Sequence, residues 1–121
     1  ICSVVRLPKA PSEMPPMSAL SMARTWAELS AAELLAYKAA DLYDKGLECG
    51  AEANAAKYLG VEYGFNACEA SVLAHGGMGY AQEYHVERLF REAMLPRIAP
   101  VSRELVLSYL AERVLGQPKS Y

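Results

Sequence analysis

Nowhere in these 121 residues do the ~18 consecutive apolar positions that a membrane-spanning helix needs occur together, although 53% of the chain is hydrophobic. Charge of one sign is equally scarce. Twelve Lys and Arg stand against fourteen Asp and Glu, a net charge of −2, with no block of like charge to draw a polyanion. A membrane and nucleic acid are both disfavoured as partners. The three cysteines, Cys2, Cys49 and Cys68, are odd in number and far apart, so they build neither a disulfide framework nor a C-x-x-C pair. They read as reduced thiols, with Cys68 a small packing residue on an alanine-rich helical pattern. The two histidines, His75 and His85, have no partners at metal-ligand spacing, and no metal is expected. Neither the G-x-G-x-x-G fingerprint nor a P-loop lysine is present. Ile1 to Leu7 is apolar but too short for a signal-peptide core, and the expected location is cytoplasmic. Without a methionine at residue 1, the chain is expected to start inside a longer reading frame or to have been cut.

What is present is helical periodicity. Residues 1 to 17 hold Pro8, Pro11, Pro15 and Pro16, which remove donors and disfavour helix before them, so they read as an arm or linker. Residues 18 to 121 read as one helical domain. A first helix is expected from about Ser18 to Lys45, with Met22, Trp26, Leu29, Glu33, Ala36, Ala40 and Tyr43 on its inner face. Gly46 should end it. A second runs from about Ala51 to Ala74, its face formed by Ala56, Leu59, Tyr63, Ala67, Ala70 and Ala74. Gly60 and Gly64, four apart within it, suggest a close helix contact, with simple tolerance as the alternative. A short helix from about Val86 to Met94 should stop at Pro96. The last should begin at Pro100 or Val101 and reach Leu115, buried on two sides. The fold class that follows is all-α, an antiparallel helical bundle.

One segment stands apart. His75-Gly76-Gly77-Met78-Gly79-Tyr80 leads into Glu83-Tyr84-His85-Val86-Glu87-Arg88 and on to Arg91-Glu92-Ala93, joining a glycine hinge to dense charge between two helical patterns. Read as H-G-G-x-G-Y-x-x-E-Y-x-V-E-R-x-x-R-[DE]-A, it resembles the hallmark of the acyl-CoA dehydrogenases. The resemblance extends back through Leu34 to Ala40 and Ala53 to Lys57, and forward to the closing residues 115 to 121, so it spans about residues 23 to 121. It implies the carboxy-terminal helical domain of that flavoenzyme family, an oxidoreductase of fatty acid metabolism. In such enzymes a carboxylate takes the α-proton of an acyl thioester while FAD takes the β-hydride.

The resemblance also marks departures. The family base at the start of the last helix falls at Pro100, which accepts no proton, so no catalytic residue is assigned. Glu104 lies one turn further on, and Glu83, Glu87 and Glu92 sit in the charged segment, where ion pairing with Arg88 and Arg91 is the plainer reading. The family sets its glycine turn against the FAD pyrophosphate of a neighbouring subunit, which implies cofactor contacts at Gly76, Gly77 and Ser102, but a glutamine usual in that turn is Leu73 here. Without a ligand, the two glycines also read as an ordinary left-handed helix cap. The amino-terminal helical and middle β-domains of a whole dehydrogenase are not in these residues, and one helix of the family bundle is missing. A seam is therefore expected on the bundle, covered by a homo-oligomer or a partner chain. The expectation is a truncated domain with a structural, oligomerising role and no desaturase activity alone. The alternatives are a subunit that completes an FAD-dependent acyl-CoA dehydrogenase in trans and a free-standing helical interaction module.

Overall fold

The computed structural model describes residues 16–119, and all of them that take regular structure are helical. Four helices follow in order: α1 (Pro16–Asp44), α2 (Gly50–Ala74), α3 (Val86–Ile98) and α4 (Arg103–Arg113). Two 3-10 turns, Gly76–Tyr80 and Gln82–Tyr84, bridge α2 and α3. α2 is the axis of the bundle, with α1 packed along it and α3 and α4 also resting on it. The rest of the expected arm, with Cys2, lies outside the described residues.

α1 starts two residues earlier than the periodicity suggests, because Pro16 suits a first turn where its missing N–H costs nothing. Its end follows from one glycine. Leu47 N–H bonds to Leu42 O at 2.9 Å and Gly46 N–H to Tyr43 O at 2.9 Å, with Gly46 at φ +68°. This is the paired Schellman closure, which needs a left-handed residue where a side chain would be strained.

The inner face of α1 is not the one its aromatic stripe suggests. Thr25, Ala32 and Ala39, each seven residues apart, are the buried positions, whereas Trp26 is 66% and Tyr43 74% exposed. Ala36 and Ala40 are exposed as well. Short side chains let α1 lie close on the alanine-rich α2, and a tryptophan between them would hold the axes apart. A cross-helix ion pair, Lys38 to Glu52 at 2.9 Å, ties the two helices.

Three further expectations are corrected. Among the described residues, Gly60 and Gly64 make no close helix contact, since a Cβ on either would meet nothing within 4 Å. The close approaches are elsewhere, at Gly50 against the Tyr109 ring and at Gly79 against the Val72 backbone. Pro96 does not stop α3, which runs one turn more to Ile98. A proline there removes one N–H near the helix end, and the last turn is held instead by Ala99 N–H to Leu95 O at 2.9 Å and by side-chain contacts to α2. α4 begins at Arg103 rather than at Pro100 or Val101, because Ser102 acts as its N-cap, its Oγ accepting from Leu105 N–H at 3.3 Å. Pro100 follows a cis peptide bond outside the helix.

α4 is also not buried on two sides. Among the described residues only Val106, 1% exposed, is fully enclosed, while Leu105, Leu107, Val114 and Leu115 remain largely exposed. The buried hydrophobic residues among those described are Ala32, Ala39, Val86 and Val106. No described helix is long and apolar enough to cross a membrane.

Candidate functional site

Two places carry the residues singled out by the sequence. The first is the turn after α2. His75 closes the helix, its N–H bonding to Ser71 O at 3.1 Å and its Nδ1 lying 2.7 Å from the same oxygen. Gly76 then takes φ +55°, the left-handed position that follows a helix end. Gly79 is needed for another reason: it is buried, and a Cβ there would strike the carbonyl oxygen of Val72. Gly77 is explained by neither cause. It is exposed, its φ is not left-handed, and a Cβ would meet open space. Tyr80 is 86% and Leu73 74% exposed beside it, and the His75 and Tyr84 rings meet edge to face at 6.1 Å.

The second place is the connector between α3 and α4, from Ala99 to Ser102. It is held on α2 by charge. Glu62 of α2 takes two hydrogen bonds from Arg97, at 2.9 Å from Nε and 2.5 Å from Nη2, and lies 3.5 Å from Arg103. Lys57 donates its ammonium to Val101 O. The Arg97 guanidinium also sits 4.2 Å from the Phe65 ring centre, and Phe65 packs on Phe90 at 5.0 Å. The bonds from Arg97, with the Arg103 charge behind them, hold the Glu62 carboxyl below the usual carboxylate range against the opposing effect of burial.

Three of the four carboxylates considered as proton acceptors are otherwise engaged. Glu104 pairs with Arg103 at 2.9 Å, and that bond lowers its proton affinity while it stays in solvent. Glu87 pairs with Arg91 at 3.1 Å and Glu92 with Arg88 at 2.8 Å, both one turn apart on the surface of α3. Glu83 is exposed on the second 3-10 turn. The structure does not bring the three candidate cofactor contacts together. Ser102 lies beside Val101, which is bonded to Lys57, whereas Gly76 and Gly77 follow Ala74 at the far end of α2, roughly 25 Å away along the axis at 1.5 Å per residue. Sequence reading missed Lys57, Glu62, Arg97 and Arg103. α2 carries four charged residues, Glu52, Lys57, Glu62 and Glu69, and nothing in their spacing singles out Lys57 and Glu62. Among the described residues, no group of three His, Cys, Asp or Glu side chains is placed to hold a metal. Cys49 and Cys68 are free thiols, and burial pushes the Cys68 thiol up.

The family model described as "Acyl-CoA dehydrogenase, C-terminal domain" matches residues 15–115. This chain belongs to the acyl-CoA dehydrogenase family. It is 43% identical over 102 residues to an acyl-CoA dehydrogenase of Mycobacterium tuberculosis, covering 83% of this chain and 26% of that protein. An acyl-CoA dehydrogenase of Bacillus subtilis is 38% identical over 86 residues, 71% of this chain and 23% of that protein. A further similarity, 43% over 65 residues, is to the caffeyl-CoA reductase-Etf complex subunit CarC of Acetobacterium woodii, over 54% of this chain and 17% of that protein. The chain thus spans about a quarter or less of the length of these curated relatives.

A glycine with no steric or conformational reason, on an exposed turn just past a long helix, leaves backbone open to something from outside the chain. Of Gly76 and Gly77, only Gly77 has its backbone exposed on this turn without a conformational reason for lacking a side chain. Ser102 caps α4 through its oxygen, and its hydroxyl also bonds to the Glu104 carboxylate, adding to the lowering of that group's proton affinity.

Proposed function

We propose that this chain serves as the carboxy-terminal assembly domain of an FAD-dependent acyl-CoA dehydrogenase and does not desaturate acyl-CoA by itself. The observation that carries this reading is Pro100 at the family's base position, with Glu104, the carboxylate one turn on, committed to Arg103. FAD, where bound, supplies the hydride acceptor. These residues supply exposed turn backbone at Gly76 and Gly77, the Ser102 hydroxyl, and helix faces for association.

The association role is supported by Leu20, Trp26, Leu34, Tyr37 and Tyr43 on α1, with exposures from 66% to 74%. Covering such side chains returns on the order of 1.5–3 kcal/mol each. A second copy or a partner chain bearing the rest of the flavin site is the proposed cover. The openness of Gly77 favours the related reading in which this chain completes an active site held on another polypeptide. A cytoplasmic setting belongs to the same proposal and suits the free thiols.

The test is the absorbance of the purified chain between about 350 and 500 nm, where flavin cofactors absorb, taken with its sedimentation mass before and after adding FAD. A colourless oligomer supports the assembly role, and a flavin band that sediments with a defined oligomer supports completion in trans. Turnover of an acyl-CoA by the chain alone with an artificial electron acceptor would refute the lack of activity. A well-folded monomer at micromolar concentration would refute the association.

A further inference from the structure

The connector from Ala99 to Ser102 has little backbone support of its own. Ala99 N–H closes onto Leu95 O at 2.9 Å, and Val106 N–H onto Ser102 O at 3.2 Å. Pro96 brings no N–H to the last turn of α3. The first turn of α4 has one side-chain cap, the long Ser102 bond. Yet the residues on either side of this connector, Arg97 and Arg103, converge on one carboxylate, Glu62, and a third charged side chain, Lys57, takes the carbonyl of Val101 inside it. Glu62 is 16% and Arg97 20% exposed, so the contact is sheltered from water in a way that the surface pairs of α3 are not. A planar guanidinium bonded twice to a carboxylate and laid over the Phe65 ring fixes an orientation as well as a distance.

We infer that Glu62 is a positioning residue: through Arg97 and Arg103 it sets where Ser102 and the start of α4 stand relative to α2, and thereby where the Ser102 hydroxyl is presented. This rests on the reading that Ser102 faces flavin. Lys57 is the second arm of the same device, acting on Val101. The remaining charged group beside the cluster, Glu104, pairs with Arg103 and also bonds to the Ser102 hydroxyl, so it belongs to the same arrangement at the start of α4.

Amide hydrogen exchange in the intact chain reads the device directly, at Leu105, whose N–H bonds to Ser102 Oγ, and at Val106, bonded to Ser102 O. Glu62→Gln keeps the shape but not the charge. It should speed exchange at these two amides by about tenfold while α1 and the first half of α2 change by less than about twofold, as a local opening does. Arg97→Lys, which keeps the charge but loses the fork, should give an intermediate effect and serves if the first variant folds poorly. Equal acceleration along the whole chain, or none at the connector, would overturn the inference. FAD titration separates it from the reading on which it rests. If the parent binds FAD, Glu62→Gln should weaken binding by about tenfold with α1 exchange unchanged, and unaltered affinity would overturn the positioning role. If neither the parent nor a variant binds FAD, as the colourless assembly domain would not, the exchange pattern alone decides the role of Glu62.

Discussion

Replacing Gly79 by alanine should damage this domain out of proportion to the single methyl group added. The new Cβ would fall well inside contact distance of the Val72 carbonyl oxygen, 3.0 Å from Val72 Cα and 3.1 Å from its carbonyl carbon. All three atoms belong to the backbone of α2, two residues from its end, and cannot rotate away as a side-chain tip would. The 3-10 turn must lift off the helix instead. Overpacking of this kind costs about 1–3 kcal/mol, and in a domain of this size each kcal/mol moves the melting temperature by about 4–8 °C. A loss of roughly 5–20 °C is therefore expected in thermal unfolding followed by far-UV circular dichroism. Gly77→Ala, two residues away, is the control. It meets nothing within 4 Å and needs no left-handed φ, so it should be neutral or gain up to about 1 kcal/mol through a less flexible unfolded chain. If Gly79→Ala melts within about 2 °C of the parent, or if the two variants lose stability equally, the distinction between a packing glycine and an access glycine is wrong.

Acid should act through Glu62. Its folded proton affinity is depressed by Arg97 and Arg103, so its contribution is fully present above the unfolded carboxylate value of roughly 4.3 and is lost as pH falls through the lower folded value. Denaturant midpoints measured at several pH values from neutral down through that window should fall further in the parent than in Glu62→Gln. Parallel curves would remove Glu62 from the account, since Glu52 and Glu104, also depressed, are common to both. Gly46→Ala puts a side chain at φ +68° and should cost about 1 kcal/mol at the α1 terminus, visible as a lower midpoint in urea. Val106→Ala empties the most enclosed site in the bundle and should cost about 2 kcal/mol. A midpoint within experimental error of the parent would show that α4 is not anchored there.

The parts of the fold that local chemistry decides were legible, and those decided by neighbours were not. Gly46 and Gly76 sit at helix ends in the left-handed region that favours glycine, so both could be read from the chain. The existence and order of four helices followed from periodicity in the same way. The inner face of α1 could not, because apolar residues line more than one side of it and the choice of Thr25, Ala32 and Ala39 depends on how closely α2 approaches. Pro96 and Pro100 misled for a related reason. A proline near a helix end loses one bond, and whether the helix continues is decided by the Arg97 contact to Glu62, 35 residues earlier in the chain. The glycine turn of the candidate site was visible as a motif, whereas the charge cluster behind Ser102 joins three helices and leaves no spacing to read.

The glycines separate what this fold needs from what it leaves to others. Gly46 and Gly76 are required by conformation, and Gly50 and Gly79 by close neighbours. Gly60, Gly64 and Gly77 are required by neither, and the two within α2 each cost about 1 kcal/mol relative to alanine in a helix interior. That expense is out of keeping with a small core whose buried hydrophobic members are Ala32, Ala39, Val86 and Val106. It has a physical reason if backbone of another chain comes within reach of α2 at Gly60 and Gly64, where a Cβ would hold it off. On that argument Gly60→Ala and Gly64→Ala should raise the helix content and melting point of the isolated chain while weakening its self-association in sedimentation equilibrium. Association that persists unchanged in both variants would place the covering surface on the aromatic side of α1 instead.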